Sequence, residues 1–208
     1  MIDQATLITY LAVLLGFVFI PGPAVLLTLA RASGSGTRAG ITTALGIAAG
    51  DLIHTVLAVV GISAVVLASA FLFSLVKYLG AAYLVYLGLR AIFEKPAPGP
   101  PAAAGGLTFT AAFRQAVLAE VLNPKSALFF LAFLPQFVRP ENGAVSLQLI
   151  LLGVLFVLMG LLSTLVVALG AGRLGAFLRR NPVVLRLQGK VVGGIYCALG
   201  LRLALQEK

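Results

Sequence analysis

Residues 77–90 read "KYLGAAYLVYLGLR" and residues 190–202 read "KVVGGIYCALGLR". Lys77, Gly80, Tyr83, Gly88 and Arg90 return as Lys190, Gly193, Tyr196, Gly200 and Arg202, with one residue deleted. Each stretch is the third long apolar segment of its half of the chain. Two copies of an odd number of membrane spans must insert in opposite senses. That architecture is typical of carriers whose site lies at the repeat interface.

Composition supports the membrane reading. The 208 residues are 61% hydrophobic and 10% charged, with a mean hydropathy of +1.10. A water-soluble domain of this length has no core large enough to hide so much apolar surface. No charge lies between Asp3 and Arg31, or between Glu141 and Arg173. The first segment has no basic leader and no small-residue cleavage site, so it reads as a retained span rather than a signal peptide. The lone Cys197 excludes a disulfide framework and a dithiol pair and reads as a small packing residue. The net charge of +9 sits at span ends and in short loops, where it sets orientation and meets headgroups. No basic stripe with interleaved aromatics points to nucleic acid.

The expected fold is an all-α integral membrane protein of six spans, at 6–30, 40–65, 67–93, 111–138, 145–171 and 187–206. These form a 3+3 inverted repeat, with residues 1–93 as the first copy and 111–208 as the second. The Pro/Gly/Ala-rich stretch 94–110 links them. Residues 172–186, with Arg173, Arg179, Arg180 and Arg186 among apolar residues, read as a short amphipathic helix along the interface. Loops one, three and five carry Arg31, Arg38, Arg90, Lys95, Arg114, Arg173, Arg179, Arg180, Arg186 and Lys190. The opposite side carries Lys77, Arg139, Arg202 and Lys208. The positive-inside rule therefore puts loops one, three and five in the cytoplasm. Arg202 and Lys208 pull against this for the last segment, so a five-span chain is the alternative.

Two of these spans are interrupted. Span one holds Pro21, Gly22 and Pro23, and span four holds Asn123, Pro124 and Lys125. Aligning "GPAVLLTLARA" with "NPKSALFFLAF" puts Pro23 on Pro124, so the breaks fall at matching positions of the two halves. Proline has no N–H and clashes with the carbonyl four residues back, so the helix kinks or opens. In hydrocarbon such a break persists only where it lines protein or a wet cavity. Paired breaks in corresponding repeat positions mark a substrate site. Two structural kinks are the competing reading.

These motifs carry a resemblance. "PGPA", "GIAAGDLIH", "KYLGAAYLVYLGLRAI" and "LNPKSALFFLAFLPQF" together resemble the LysE/RhtB-type amino-acid exporter family, which includes lysine, threonine, homoserine and leucine exporters. The resemblance covers residues 7–205. It implies a secondary transporter of a bacterial inner membrane that exports small amino acids or their derivatives, driven by the proton-motive force. Pro21, Gly22, Pro23, Asp51, Asn123, Pro124 and Lys125 match the family's strongest motif positions. Glu120 departs from its pattern, which has a neutral residue just before "LNPK".

The buried ionisable groups supply candidate chemistry. Asp51 and His54 lie three apart, on one helix face. A charge at bilayer depth costs at least about 2.5–3.5 kcal/mol, so such groups face a cavity or a partner. Together they are the candidate proton-coupling pair. A core histidine bonded to a backbone carbonyl, and a structural Asp51 hydrogen bond, are the alternatives. Glu120 and Asn123 precede the second break, and Lys125 follows it. Helix N-termini opened at the breaks, or Lys125, would bind a substrate carboxylate. Asp51 or Glu120 would bind its ammonium, while Lys125 serves equally well to neutralise them. Phe129 and Phe130 read as core packing or as an apolar gate. Gly46, Gly50, Gly189 and Gly193 form small-residue faces for close helix packing, which would also serve a homodimer. No cofactor and no enzymatic motif is expected. An ion or metal permease on the same scaffold is the alternative function, although only His54, Asp51 and Glu120 offer ligands and a metal site wants several clustered ones.

Overall fold

The computed structural model describes residues 2–19, 22–68, 70–93 and 108–180, together with Lys190, Gly193, Gly194, Cys197, Ala198, Gly200, Leu201, Ala204 and Leu205. The described residues contain helices and no strand. Pro21, most of the expected linker and Tyr196 fall outside them.

Helix α1 (Gln4–Phe19) and helix α2 (Pro23–Ser35) take up the first apolar segment, with axes 48° apart. Helices α3 (Thr37–Ala68) and α4 (Ala70–Phe93) follow. Helix α5 (Phe109–Val121) and helix α6 (Pro124–Leu128) share the fourth segment, which continues through a π turn at Phe129–Phe133 and a 3₁₀ turn at Leu134–Phe137. The bend there is 44°. Helix α7 runs from Val145 to Arg180. Described positions from Lys190 to Leu205 are also helical. Thr37–Gly61 and Val145–Arg173 are each long and apolar enough to cross a bilayer, and each bent pair would make a further span. The described breaks, the boundaries of α3 and α4 and the start of α7 fall within a few residues of the sequence expectation.

One expectation is corrected. The stretch after residue 171 is not a separate interfacial helix, because α7 continues unbroken to Arg180. Gly170 and Gly172 weaken a helix by about 1 kcal/mol each but leave every backbone N–H in place. The next residue that cannot donate is Pro182.

Helix α3 is the hub, packed against α2, α5 and α7. Glycine sets how closely α5 approaches. A Cβ on Gly46 would lie 2.6 Å from the Phe113 carbonyl oxygen, and one on Gly50 would lie 2.6 Å from Glu120 Cβ. The small-residue face expected from the sequence is therefore consumed within the chain. So is that of Gly193, which meets Gly88 and Ile92 of α4. Cys197 packs at the same contact, against Gly88.

An aromatic cluster fills the space between α1, the π turn and α7. Phe129 lies 4.5 Å from Phe17 and 4.7 Å from Phe156, centroid to centroid. Tyr10 donates its buried hydroxyl to the Leu152 carbonyl at 2.7 Å. Phe129 and Phe130 are 1% exposed, which is the packing position. At the start of α1, Thr6 donates to Asp3 through both its backbone N–H and its hydroxyl. These bonds hold the exposed Asp3 carboxyl below the usual carboxylate range.

Gly50→Val is expected to destabilise the protein by about 1–3 kcal/mol, because overpacking would force α3 from α5. Gly16→Ala is the matched control. A Cβ there meets nothing within 4 Å, and helix propensity favours alanine by up to about 1 kcal/mol. Unfolding midpoints of the purified protein in detergent measure both. A Gly50→Val midpoint at or above wild type would contradict the packing described for α3 and α5.

Candidate functional site

Pro23 and Pro124 each stand first in their helix, where a missing N–H costs nothing. Gly22 caps α2 in extended conformation. Asn123 caps α6, its side-chain oxygen accepting from the Lys125 N–H at 3.0 Å. The structure brings the two breaks together, and a Cβ on Gly22 would lie 3.1 Å from Lys125 Cδ.

The freed carbonyls show where the broken helices find their donors. In α1, the partner of the Phe17 carbonyl would be residue 21, a proline with no N–H. Lys125 Nζ donates to that carbonyl at 2.9 Å and stands 4.4 Å from the Phe17 ring centroid. The next carbonyl, Val18, accepts from the Ser163 hydroxyl of α7 at 3.3 Å. In α5, the partner of the Glu120 carbonyl would be Pro124. The Asn123 N–H and His54 Nε2 reach it instead, each at 3.0 Å. A carbonyl only accepts, so His54 Nε2 carries the proton of that bond. The imidazole also stacks on Phe130 at 5.5 Å.

Around this junction the buried side chains are polar. Asp51 and Glu120 are each 2% exposed, and Asn123 and Ser126 are nearly as buried. Asn123 Nδ2 donates to both Glu120 carboxyl oxygens at 3.1 Å, and the Ser126 hydroxyl donates to one of them. Asp51 interacts with Glu120 and with Lys125. Its Oδ1 has no hydrogen-bond partner. Gly160 leaves room beside it, because a Cβ there would lie 3.3 Å from Asp51 Oδ2.

A cavity of about 40 Å³, measured as space open to the centre of a water molecule, lies at this junction. Gly22, Asp51, Glu120, Asn123 and Lys125 line it, with Ser163 and Thr164 opposite. Among the expected site residues, Pro23, Pro124 and His54 do not line it, and Pro21 is outside the described positions. Ser126, Ser163, Thr164 and Gly160 were not singled out as site residues from the sequence. The signal for the α7 pair was present, since Ser163 and Thr164 are the only hydroxyl residues between Gln148 and Arg173. Buried threonines of α2, α3 and α7 bond their own preceding turn, whereas Ser163 reaches another helix.

A buried polar cavity between two proline-broken helices, in a chain of apolar membrane-length helices, is the arrangement of a membrane transporter. The model of the family "LysE type translocator" matches residues 15–207, and the chain belongs to that family. It is a family of translocators and not of enzymes. The chain is 34% identical to the uncharacterized membrane protein YrhP of Bacillus subtilis, over 76% of this chain and 79% of the relative. It is 32% identical to an uncharacterized membrane protein of Pseudomonas aeruginosa, over 94% and 93%. A leucine efflux protein of Salmonella typhimurium is 34% identical over 65% and 66%. No solved structure matches the chain.

Asn123→Ala removes the cap of α6 and a donor to both oxygens of a buried carboxyl. Each loss is worth about 1–2 kcal/mol, so a clear fall in unfolding midpoint is expected. A midpoint within error of wild type would show that Glu120 does not depend on this amide.

Proposed function

We propose that the protein is a secondary transporter exporting small amino acids or their derivatives across a bacterial inner membrane, in exchange for protons. Export of amino acids rests on family membership and on the name of the Salmonella leucine efflux relative. The observation that carries the site is the meeting of Gly22 with Lys125 beside Asp51 and Glu120. A zwitterion needs an anion seat and a cation seat. Lys125 and the start of α6 offer the first, with Gly22, Pro23, Asn123 and Pro124 shaping the backbone, and the unpartnered Asp51 Oδ1 offers the second. Glu120 serves as the fixed acceptor of Asn123 and Ser126.

Two carboxyls and one ammonium share this cavity. With all three ionised the net charge is −1, and one proton neutralises it. Asp51 is the coupling carboxyl in this reading, since a proton and a substrate ammonium would compete for the same oxygen. Such competition is what obliges exchange rather than co-transport. The cavity holds roughly three waters' worth of space, whereas leucine has nine heavy atoms, so α2 and α6 part when substrate binds.

The proposed architecture is two antiparallel three-helix copies, 1–93 and 111–208, with loops one, three and five cytoplasmic. Contacts between the repeated motifs support it. Gly88 meets Gly193 and Cys197, while Gly200 meets Ala81 and Val85, so the two segments run antiparallel. Exchanging the copies carries the contact of Gly88 with Gly193 onto one of Gly200 with Gly80, next to the observed Ala81. The ion or metal permease gains no support, for no group of three metal-ligating side chains stands together among the described residues.

Proteoliposomes loaded with labelled leucine, threonine, homoserine or lysine test the proposal. An imposed inward proton gradient is expected to drive efflux of at least one of them. Asp51→Asn keeps an acceptor oxygen without its charge, and is expected to exchange substrate with weaker affinity and to lose the response to the gradient. Gradient-driven efflux by Asp51→Asn at the wild-type rate would remove Asp51 from the mechanism. A wild-type protein inert to the whole panel would remove amino-acid export.

A further inference from the structure

We infer that His54 and Lys125 are positioning residues that brace the two broken helices against each other, each donating to a carbonyl whose partner four residues on is a proline. The symmetry of the arrangement carries this. Pro21 frees the Phe17 carbonyl of α1, and Lys125 of α6 takes it. Pro124 cannot donate to the Glu120 carbonyl, and His54 of α3 reaches it beside the Asn123 N–H. Ser163 of α7 adds a third bond of the same kind, to Val18. Every one of these donors comes from the opposite side of the 94–110 stretch from its acceptor. These three side-chain bonds all cross that stretch, so the braces join the parts of the chain that must separate for the cavity to open.

Function follows from geometry. Breaking a buried hydrogen bond is unfavourable, so the junction stays shut while the braces hold. Lys125 lines the cavity, so an arriving carboxylate competes with the Phe17 carbonyl for its ammonium. Its transfer to the substrate releases α1. His54 does not line the cavity and is locked between Phe130 and the Glu120 carbonyl. The histidine's part in transport is that of a donor to the facing helix, which goes beyond the proposed exchange.

Glutamine places an amide N–H close to the position of a histidine Nε2 and does not titrate. His54→Gln is expected to keep Vmax within about twofold of wild type and to leave the pH profile of transport unmoved. His54→Leu, which lacks the donor, is expected to lose on the order of tenfold in Vmax, the equivalent of about 1.4 kcal/mol, and to unfold at a lower temperature than His54→Gln. A shifted pH profile in His54→Gln, or equal behaviour of the two variants, would overturn the brace. The Gln variant decides alone if the Leu variant fails to fold. Lys125→Met is expected to lower the unfolding midpoint in the absence of substrate; an unchanged midpoint overturns its half of the inference. The midpoints need no transported substrate, so they report on the braces even if amino-acid export is refuted.

Discussion

A backbone carbonyl at membrane depth must find a donor, and this chain frees carbonyls twice. Proline cannot donate, and hydrocarbon offers no water to substitute. The side-chain donors found are a lysine, a histidine and a serine, all from other helices, and the Asn123 N–H adds a backbone bond to Glu120. Much of the site is shaped by that need. Lys125 is drawn to the first break, Asn123 caps the helix behind the second, and α3 approaches α5 closely enough for His54 to reach Glu120. The close approach depends in turn on Gly46 and Gly50, since any side chain there would hold α5 away.

The charged groups are treated unequally. Glu120 has donors on both carboxyl oxygens, while Asp51 keeps one oxygen without a partner in an equally buried position. A satisfied carboxyl is a structural element, and an unsatisfied one retains its demand for a cation or a proton. This difference distinguishes their roles better than sequence position does, because both residues look alike as isolated acids in apolar runs. The aromatic cluster of Phe17, Phe129 and Phe156 borders this polar junction. It excludes water from one side and strengthens the interactions inside.

Much of the helical architecture was legible in the sequence, because a bilayer demands long apolar runs and proline interrupts them in a way nothing else does. The breaks at Pro23 and Pro124 and the boundaries of α3 and α4 follow from those two rules. The continuation of α7 past residue 171 was not legible. Clustered arginines look interfacial whether the helix stops or continues, and only the absence of a proline before Pro182 argues for continuation. Asp51, Glu120, Asn123 and Lys125 stood out as polar groups in apolar surroundings. Ser163 did not, since a serine in a membrane helix normally bonds its own preceding turn, and only the fold reveals a carbonyl on α1 in need of it. For the same reason the sequence left His54 open between a proton carrier and a core histidine. Spacing puts it on one face with Asp51, but its partner comes from a helix 66 residues away.

The braces and the cavity impose a consistent order on any opening motion. The cavity is smaller than an amino acid, and it is bordered by the residues whose hydrogen bonds hold the breaks together. Enlarging it moves α2 from α6 and strips the Phe17 carbonyl of Lys125. Beside Asp51 and Glu120, the ammonium gives up that carbonyl more readily when it gains a further anion or dipole at once. A carboxylate entering the cavity is such a group, whereas a neutral apolar solute of equal size is not. Selection for a carboxylate-bearing solute would therefore arise from the broken helix itself, before any side-chain pocket discriminates leucine from threonine or lysine.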